Sequence, residues 1–240
     1  MVDKVHHVEI LCKDVESNLR TFIDKLGFTL HCKLKLDQGR NSYVLKQESM
    51  LLVLSEGDQD TVRNIAFEVK DIYGLLKNFD EKDVLRQVTT TKDSNGEILS
   101  ALVQTPVGNV THLLLDLSKY QGYFLPGYVK CFESQEDGHG KKHITHYDHI
   151  TYACFPGTSH AIIAWYEKSF GFSRFFINDS EDVDEGFIVQ SSDDMASSFG
   201  MRLTAMEYWR CAEVGLKLSG TTLEKKLKLV LAEPLPGLGM

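Results

Sequence analysis

The first apolar run, VHHVEILC at 5–12, is short and bounded by charged residues, and it predicts a strand. The period then changes. Val15, Leu19, Phe22, Ile23 and Leu26 recur at helical spacing, with Asp14 where an N-cap belongs and Gly27 where a left-handed C-terminal residue belongs. Three strand-like runs follow, FTLHCKL, SYVLKQ and MLLVLSE, separated by polar or turn residues. The predicted order is strand, helix, strand, strand, strand.

The same order recurs. NIAFEV (64–69) reads as a strand, and DIYGLLKNFDEK reads as a helix capped by Asp71 with Ile72, Leu75, Leu76 and Phe79 on one face. VLRQVTTT, EILSALVQTP and VTHLLLDLS are strands, the first two joined by the turn KDSNGE. A third copy starts at Tyr147 with the strand YDHITYACF. The helix TSHAIIAWYEKSFG follows, capped by Thr158 or Ser159 and ended by Gly171, and then FSRFFIN, GFIVQSS, MRLTAMEYW and LKLVLAEP. His7 precedes Gly27 by 20 residues and His149 precedes Gly171 by 22. Phe22 and Tyr166 each lie five residues before their glycine, and Phe28 and Phe172 follow it. This agreement predicts an α+β fold of tandem βαβββ modules, three of them in these residues. The expected division is an amino-terminal domain of two modules over 1–128, a linker over 129–146, and a third module over 147–240 as the first half of a second domain. The aromatic, turn-rich start of the segment between copies, YQGYFLPGY, is expected to pack on the second copy.

Composition narrows the function. A formal net charge of −8 over 240 residues argues against a nucleic-acid partner, which needs a basic face. No apolar run approaches the ~18 residues a membrane span needs. The opening residues carry neither a secretory apolar region nor an Arg-rich presequence, and the five cysteines (Cys12, Cys32, Cys131, Cys154, Cys211) are odd in number and scattered. They read as reduced thiols in an intracellular compartment.

Histidines are the candidate chemistry. His139, His143, His146 and His149 crowd one segment. Three readings stand: a four-imidazole zinc site, a single ligand His149 presented by a strand, or ordinary surface histidines. Strand alternation sets His6 and His7 on opposite faces, and it sets His149 with Tyr147 and Thr151 against Asp148, Ile150 and Tyr152. The acidic stretch SEDVDEG (180–186) lacks the alternating ligands of a calcium loop and reads as a solvated hairpin tip. Trp165 shares a helix face with Ile162 and reads as core.

Five segments in order, YVLKQESMLLVLSE, NIAFEVKD, ALVQTPVGNVTHLLLDLSKYQGYFLPGY, DHITYACFPGTSHAIIAWYEKSFGF and LVLAEPLPG, resemble the 4-hydroxyphenylpyruvate dioxygenase family. The resemblance is strongest to the 4-hydroxyphenylpyruvate dioxygenase-like paralogues of animals, and YQGYFLPGY is its most specific segment. It implies the vicinal oxygen chelate (glyoxalase-like) fold of four βαβββ modules, and an Fe(II) held by two histidines and a glutamate with positions left open for a 2-oxo acid and dioxygen. The family's first histidine, in the DHI segment, falls on His149. The other two ligands belong to the fourth module. Glu233 matches a Glu-Pro that the family carries without using it as a ligand; His7 and His112 match positions of a metal-free domain. The residue before Glu233 is asparagine near the substrate in the family but Ala232 here, which fits 4-hydroxymandelate better than homogentisate as product.

The resemblance therefore implies a dioxygenase of 4-hydroxyphenylpyruvate in aromatic amino acid and quinone-precursor metabolism, mitochondrial by association or cytoplasmic. These residues provide one of its three iron ligands, so the catalytic set is incomplete and Fe(II) binding is expected to be weak, ~mM, or absent. We expect a shortened isoform or truncated product, inactive alone, that self-associates through an exposed third module. The alternative is a non-catalytic binding protein on the same scaffold.

Overall fold

The structure, a computed structural model, describes residues 2–34, 41–131, 144–177, 181–182, 185–190, 200–208 and 227–236. His139, His143, Cys211 and part of the acidic stretch lie outside the described residues.

Among the described residues the chain forms two sheets. The first copy supplies β1 (Val2–Cys12), α1 (Val15–Arg20), β2 (Thr29–Leu34), β3 (Ser42–Gln47) and β4 (Met50–Glu56). The second supplies β5 (Thr61–Val69), the short α2 (Ile72–Leu76), β6 (Val84–Asp93), β7 (Gly96–Gln104) and β8 (Thr111–Tyr120). With β9 (Val129–Lys130) they make one sheet in the order β6-β7-β8-β5-β1-β4-β3-β2-β9. Its symmetry follows from the repeat. In each copy the first strand pairs in parallel with the last, β1 with β4 and β5 with β8. The two first strands then pair with each other, antiparallel, from Val2↔Val69 to Leu11↔Thr61.

The third copy supplies β10 (Ile150–Ala153), α3 (Ser159–Phe170), β11 (Ser173–Phe175), β12 (Phe187–Gln190), β13 (Gly200–Tyr208) and β14 (Leu227–Pro234). The order β10-β14-β13-β11 repeats β1-β4-β3-β2, and β10 again lies parallel to β14. Here the likeness ends: among the described residues β10 is an edge strand, with no partner where β1 has β5.

Local chemistry explains the helices and where they stop. Asp14 Oδ1 accepts the Ser17 amide at 2.9 Å and Asp71 Oδ1 the Gly74 amide at 2.8 Å, each a cap contributing ~1 kcal/mol. Gly27 and Gly171 close the first and third helical stretches at φ 76° and 77°, the left-handed region a side chain resists. After α1 the chain widens into a π-turn over Thr21–Lys25, which shifts the phase of the apolar face. Ile23, expected inside, is consequently 36% exposed, while Phe22 and Leu26 still pack on the core.

Helices and strands meet in one core that runs through both sheets. Val8, Leu45, Leu54, Ile65, Phe67 and Leu114 from the first sheet join Ile162, Tyr166, Phe170, Met206 and Leu229 from the third copy. A fully buried side chain of this size contributes ~1.5–3 kcal/mol. Polar bonds rim the contact: Trp165 Nε1 donates to Asp83 Oδ2 at 2.9 Å, and Lys168 Nζ meets Asp80 Oδ1 at 2.7 Å. Trp165 thus packs, as expected, but at a seam between copies.

The strap after β8 departs from expectation. Phe124 of YQGYFLPGY is buried against Cys32, Val44 and Val53, all of the first copy, and β9 adds to β2. Leu125 also reaches Ala66, Ile98 and Leu115 of the second copy. The reason lies in the sheet: the inward face of β2–β4 presents small apolar side chains that leave room for a ring.

Candidate functional site

Equivalent positions in β1 and at the entry to β10 carry His7 and His149, and the structure treats them oppositely. His7 is 3% exposed. A bulge in the β1–β5 register between Val5 and His7 makes His6 an extra residue. The expected opposite facing of the two rings is therefore overturned: their Nδ1 atoms lie 2.7 Å apart, so one carries the proton and the other accepts it. Phe124 covers both, stacked at 5.4 Å from the His6 ring and edge-on at 5.1 Å to His7. Desolvation, with Lys4 nearby, lowers the pKa of His6 to about 4, and desolvation beside His6 drives that of His7 well down. Tyr128, pushed up to about 12 chiefly by burial, lines the same cup, where Glu9 accepts the Ser55 hydroxyl at 2.8 Å. This cup is filled by its own chain.

His149 is open. Its side chain keeps 49% of its surface, and its Nδ1 lies 2.7 Å from Asp148 Oδ2. A carboxylate on Nδ1 fixes the tautomer and leaves Nε2 as the free, basic nitrogen, the arrangement of metal-ligating imidazoles. The His149 contact, above all, holds the Asp148 carboxyl below its ordinary range. Strand structure begins at Ile150, three residues later than Tyr147, so the alternation expected from Tyr147 onward does not hold there. Tyr147 turns inward, its hydroxyl donating to the Leu51 carbonyl at 2.8 Å. From Ile150 the alternation is regular: Ile150 and Tyr152 face the core, and Thr151 and Ala153 face outward. Registered neighbours share that outward face: Val230 beside Thr151, Ala232 beside Ala153, and Leu203 and Ala205 on β13. The result is a sheet face of small and apolar residues, Ala205 and Ala232 of it buried, with His149 just before its first strand.

Glu233 points to the other side of the sheet. It is 2% exposed, its carboxylate accepting the Ser159 amide at 3.2 Å and pairing with Arg202 Nη1 at 3.2 Å. It caps α3, where the Thr158 hydroxyl, bonded instead to the Phe155 carbonyl, does not. A group so engaged is not a metal ligand. His112, 0% exposed and with its pKa lowered to about 4 by desolvation, is core. His146 bonds the Thr145 hydroxyl at 2.7 Å. Cys12 and Cys32 are buried free thiols, raised by desolvation, and Cys131 and Cys154 are also free. Sequence reasoning missed what holds the site segment: Tyr166, which replaces Phe22 of the first copy, carries a hydroxyl into the core, and that one-atom difference was the available signal.

The donor set decides how far a metal fits. Among the described residues no three His, Cys, Asp or Glu side chains converge as a metal cage. His149 fits one position of an iron site, and this set alone does not fit the whole ion.

Comparison with known proteins gives the same frame. No family model matches the chain. It is 30% identical over 179 residues to the 4-hydroxyphenylpyruvate dioxygenase-like protein of Rattus norvegicus, covering 73% of this chain and 43% of that one. The Homo sapiens protein of the same name is 32% identical over 149 residues, covering 61% and 34%. The 4-hydroxyphenylpyruvate dioxygenase of Danio rerio is 26% identical over 204 residues, covering 74% and 50%. Over about three quarters of its length the chain is similar to proteins of the 4-hydroxyphenylpyruvate dioxygenase family. It spans half or less of the length of these relatives. Solved structures agree on the fold. A mutant 4-hydroxymandelate synthase from Streptomyces coelicolor superposes with a TM-score of 0.66 at 15% identity, over 97% of this chain and 63% of that one. A Mn(II)-bound glyoxalase from Novosphingobium aromaticivorans gives 0.55 at 12%, over the same shares. The glyoxalase-like, vicinal oxygen chelate fold is thus common to this chain and these neighbours. No helix among the described residues is long and apolar enough to cross a membrane.

Proposed function

We propose that this chain provides the His149 half of a non-haem Fe(II) site for oxidation of 4-hydroxyphenylpyruvate, a fourth βαβββ module supplying the remaining histidine and glutamate. The observation that carries the reading is the contrast between corresponding histidines: His7 is sealed at 3% exposure, whereas the His149 side chain keeps 49% of its surface with Nδ1 held by Asp148. When bound, the iron would supply a chelation point for the 2-oxo acid and a binding position for dioxygen. The chain's own residues would do the rest. Asp148 keeps the proton on Nδ1 so that Nε2 is available. The Thr151, Val230, Ala232 and Leu203 face offers a largely apolar wall to an aromatic ring and excludes water from it. Ala232 places no amide against the ring, which favours 4-hydroxymandelate over homogentisate as product.

The experiment appends the fourth module of the Danio rerio dioxygenase after residue 236 and measures Fe(II) stoichiometry, oxygen uptake and product. One tightly bound iron, lost with His149→Ala, supports the reading; iron binding indifferent to His149→Ala overturns it. The lack of a three-donor cage among the described residues favours a second reading for the chain on its own, a binding protein without catalysis. Ligand-induced changes in a chimera that holds no iron would support that reading instead.

A further inference from the structure

The segment that carries His149 is held from the amino-terminal domain at two points. Two residues before it, the Tyr147 hydroxyl donates to the Leu51 carbonyl of β4 at 2.8 Å. Three residues after it, Tyr152 turns into the core, 5% exposed, and its Oη lies 3.1 Å from that of Tyr166 on α3. Tyr166 Oη lies in turn 2.8 Å from His112 Nε2, and His112 Nδ1 lies 2.8 Å from the Ile65 carbonyl of β5.

Proton counting fixes the His112 end of this chain of bonds. A carbonyl only accepts, so Nδ1 of His112 carries the hydrogen. The ring is buried between Phe67 and Phe170, with centroids at 4.5 and 5.4 Å, and no carboxylate faces it among these contacts; its Nε2 is therefore a bare lone pair. The Tyr166 hydroxyl lies 2.8 Å from that lone pair and donates to Tyr152 Oη at 3.1 Å, so its one proton ties the two contacts together. The linked groups are Tyr152, Tyr166, His112 and the Ile65 carbonyl. Every donor and acceptor in it is buried, so a wrong tautomer or a missing hydroxyl strands a polar group without water.

β10 needs such anchors. It is four residues long and has β14 on one edge only among the described residues. The corresponding strand of the first copy, β1, is eleven residues long and paired on both edges.

We propose that the amino-terminal domain acts as a positioning platform for His149, with Tyr147 on Leu51 and Tyr152 through Tyr166 on His112 as its two anchors. The proposal rests on the reading of His149 as a ligand. It adds that the domain whose own cup is closed serves the open one by holding the ligand strand in place. Tyr147, Tyr152, Tyr166 and His112 are positioning residues; none touches the open face.

The test uses the 240-residue protein with Tyr147→Phe, Tyr152→Phe and their combination, which keep both rings, and with His112→Gln and His112→Leu. Glutamine can donate to the Ile65 carbonyl and bond the Tyr166 hydroxyl; leucine can do neither. Amide hydrogen exchange is followed at 148–153 against Leu231 and Ile65 as internal references, together with the ring NMR signals of His149. The expected result for the double tyrosine variant is exchange at 148–153 faster by about tenfold than the change at the references, with shifted His149 signals. His112→Leu should reproduce the Tyr152→Phe part and His112→Gln should restore it. Uniform change across all sites, or no rescue by glutamine, overturns the proposal; should His112→Leu not fold, the tyrosine variants alone decide it. Co(II) added to the chimera carrying the fourth module checks the underlying reading separately. Broadening of the His149 ring signals supports the ligand role. Its absence removes that role and the functional part of the proposal, whatever the exchange data show.

Discussion

Two half-related cups sit side by side in this protein, and they differ in what covers them rather than in how they are built. Each has a first strand parallel to its last, and each carries a histidine in or beside that first strand, His7 within β1 and His149 just before β10. In the amino-terminal domain β1 pairs with β5, the strap drops Phe124 onto the imidazoles, and His7 becomes a neutral core residue. In the third copy the outer edge of β10 has no strand partner among the described residues, and His149 keeps half its surface. A histidine in this fold is therefore neither a ligand nor a filler by its place in the module. Desolvation decides, and desolvation comes from the neighbouring segment.

The contrast can be attacked directly. The largest effect is expected from Phe124→Ala. The ring is 4% exposed, and its loss should cost about 3–5 kcal/mol, read as a lower urea midpoint. A cost below ~1 kcal/mol would show that the amino-terminal cup is not held shut by the strap.

Acid should act next, and on the closed side of the comparison. His112 takes its proton near 4 when folded and near 6.5 when unfolded, so the unfolded chain binds more protons between those values. Stability is complete above 6.5 and falls as pH drops towards 4, by about 3 kcal/mol for this ring. His6, also near 4, adds in the same direction. Urea midpoints measured from pH 7.5 to 4 test this; a flat profile contradicts the neutral buried rings.

Glu233→Gln comes third. It removes the charge that pairs with Arg202 and caps α3, for an expected loss of about 1–3 kcal/mol in thermal or urea melts. Metal binding in the chimera with a fourth module should be unaffected, which separates Glu233 from the ligands. The smallest effect on stability belongs to His149→Ala, within ~0.5 kcal/mol, because a half-exposed side chain away from the core leaves no cavity. The same change in His7 should be several times worse, and equal losses at the two positions would erase the distinction.

Much of this architecture was legible before any coordinates. The periods of 2 and 3.6, the caps Asp14 and Asp71, and the glycines Gly27 and Gly171 carry local information, and strands, helices and repeat were predicted from them. Local information fails at the π-turn that rotates Ile23 outward, and at the bulge that brings His6 and His7 together, since a one-residue insertion into a register leaves no mark in composition. It fails also for the strap, expected on the second copy: Leu125 does meet Ala66, Ile98 and Leu115 there, but Phe124 is buried on Cys32, Val44 and Val53 of the first.

By itself, then, the chain determined the order of strands and helices and its recurrence, because these rest on the spacing of neighbours along the backbone. Tertiary structure alone decided which histidine stays in water, which glutamate is tied up as a helix cap, and how Tyr147, Tyr152, Tyr166 and His112 hold the segment that carries His149. Those outcomes depend on hydrogen bonds between groups 14 to 96 residues apart, and loss of water at such contacts is a property of the packed molecule rather than of any segment.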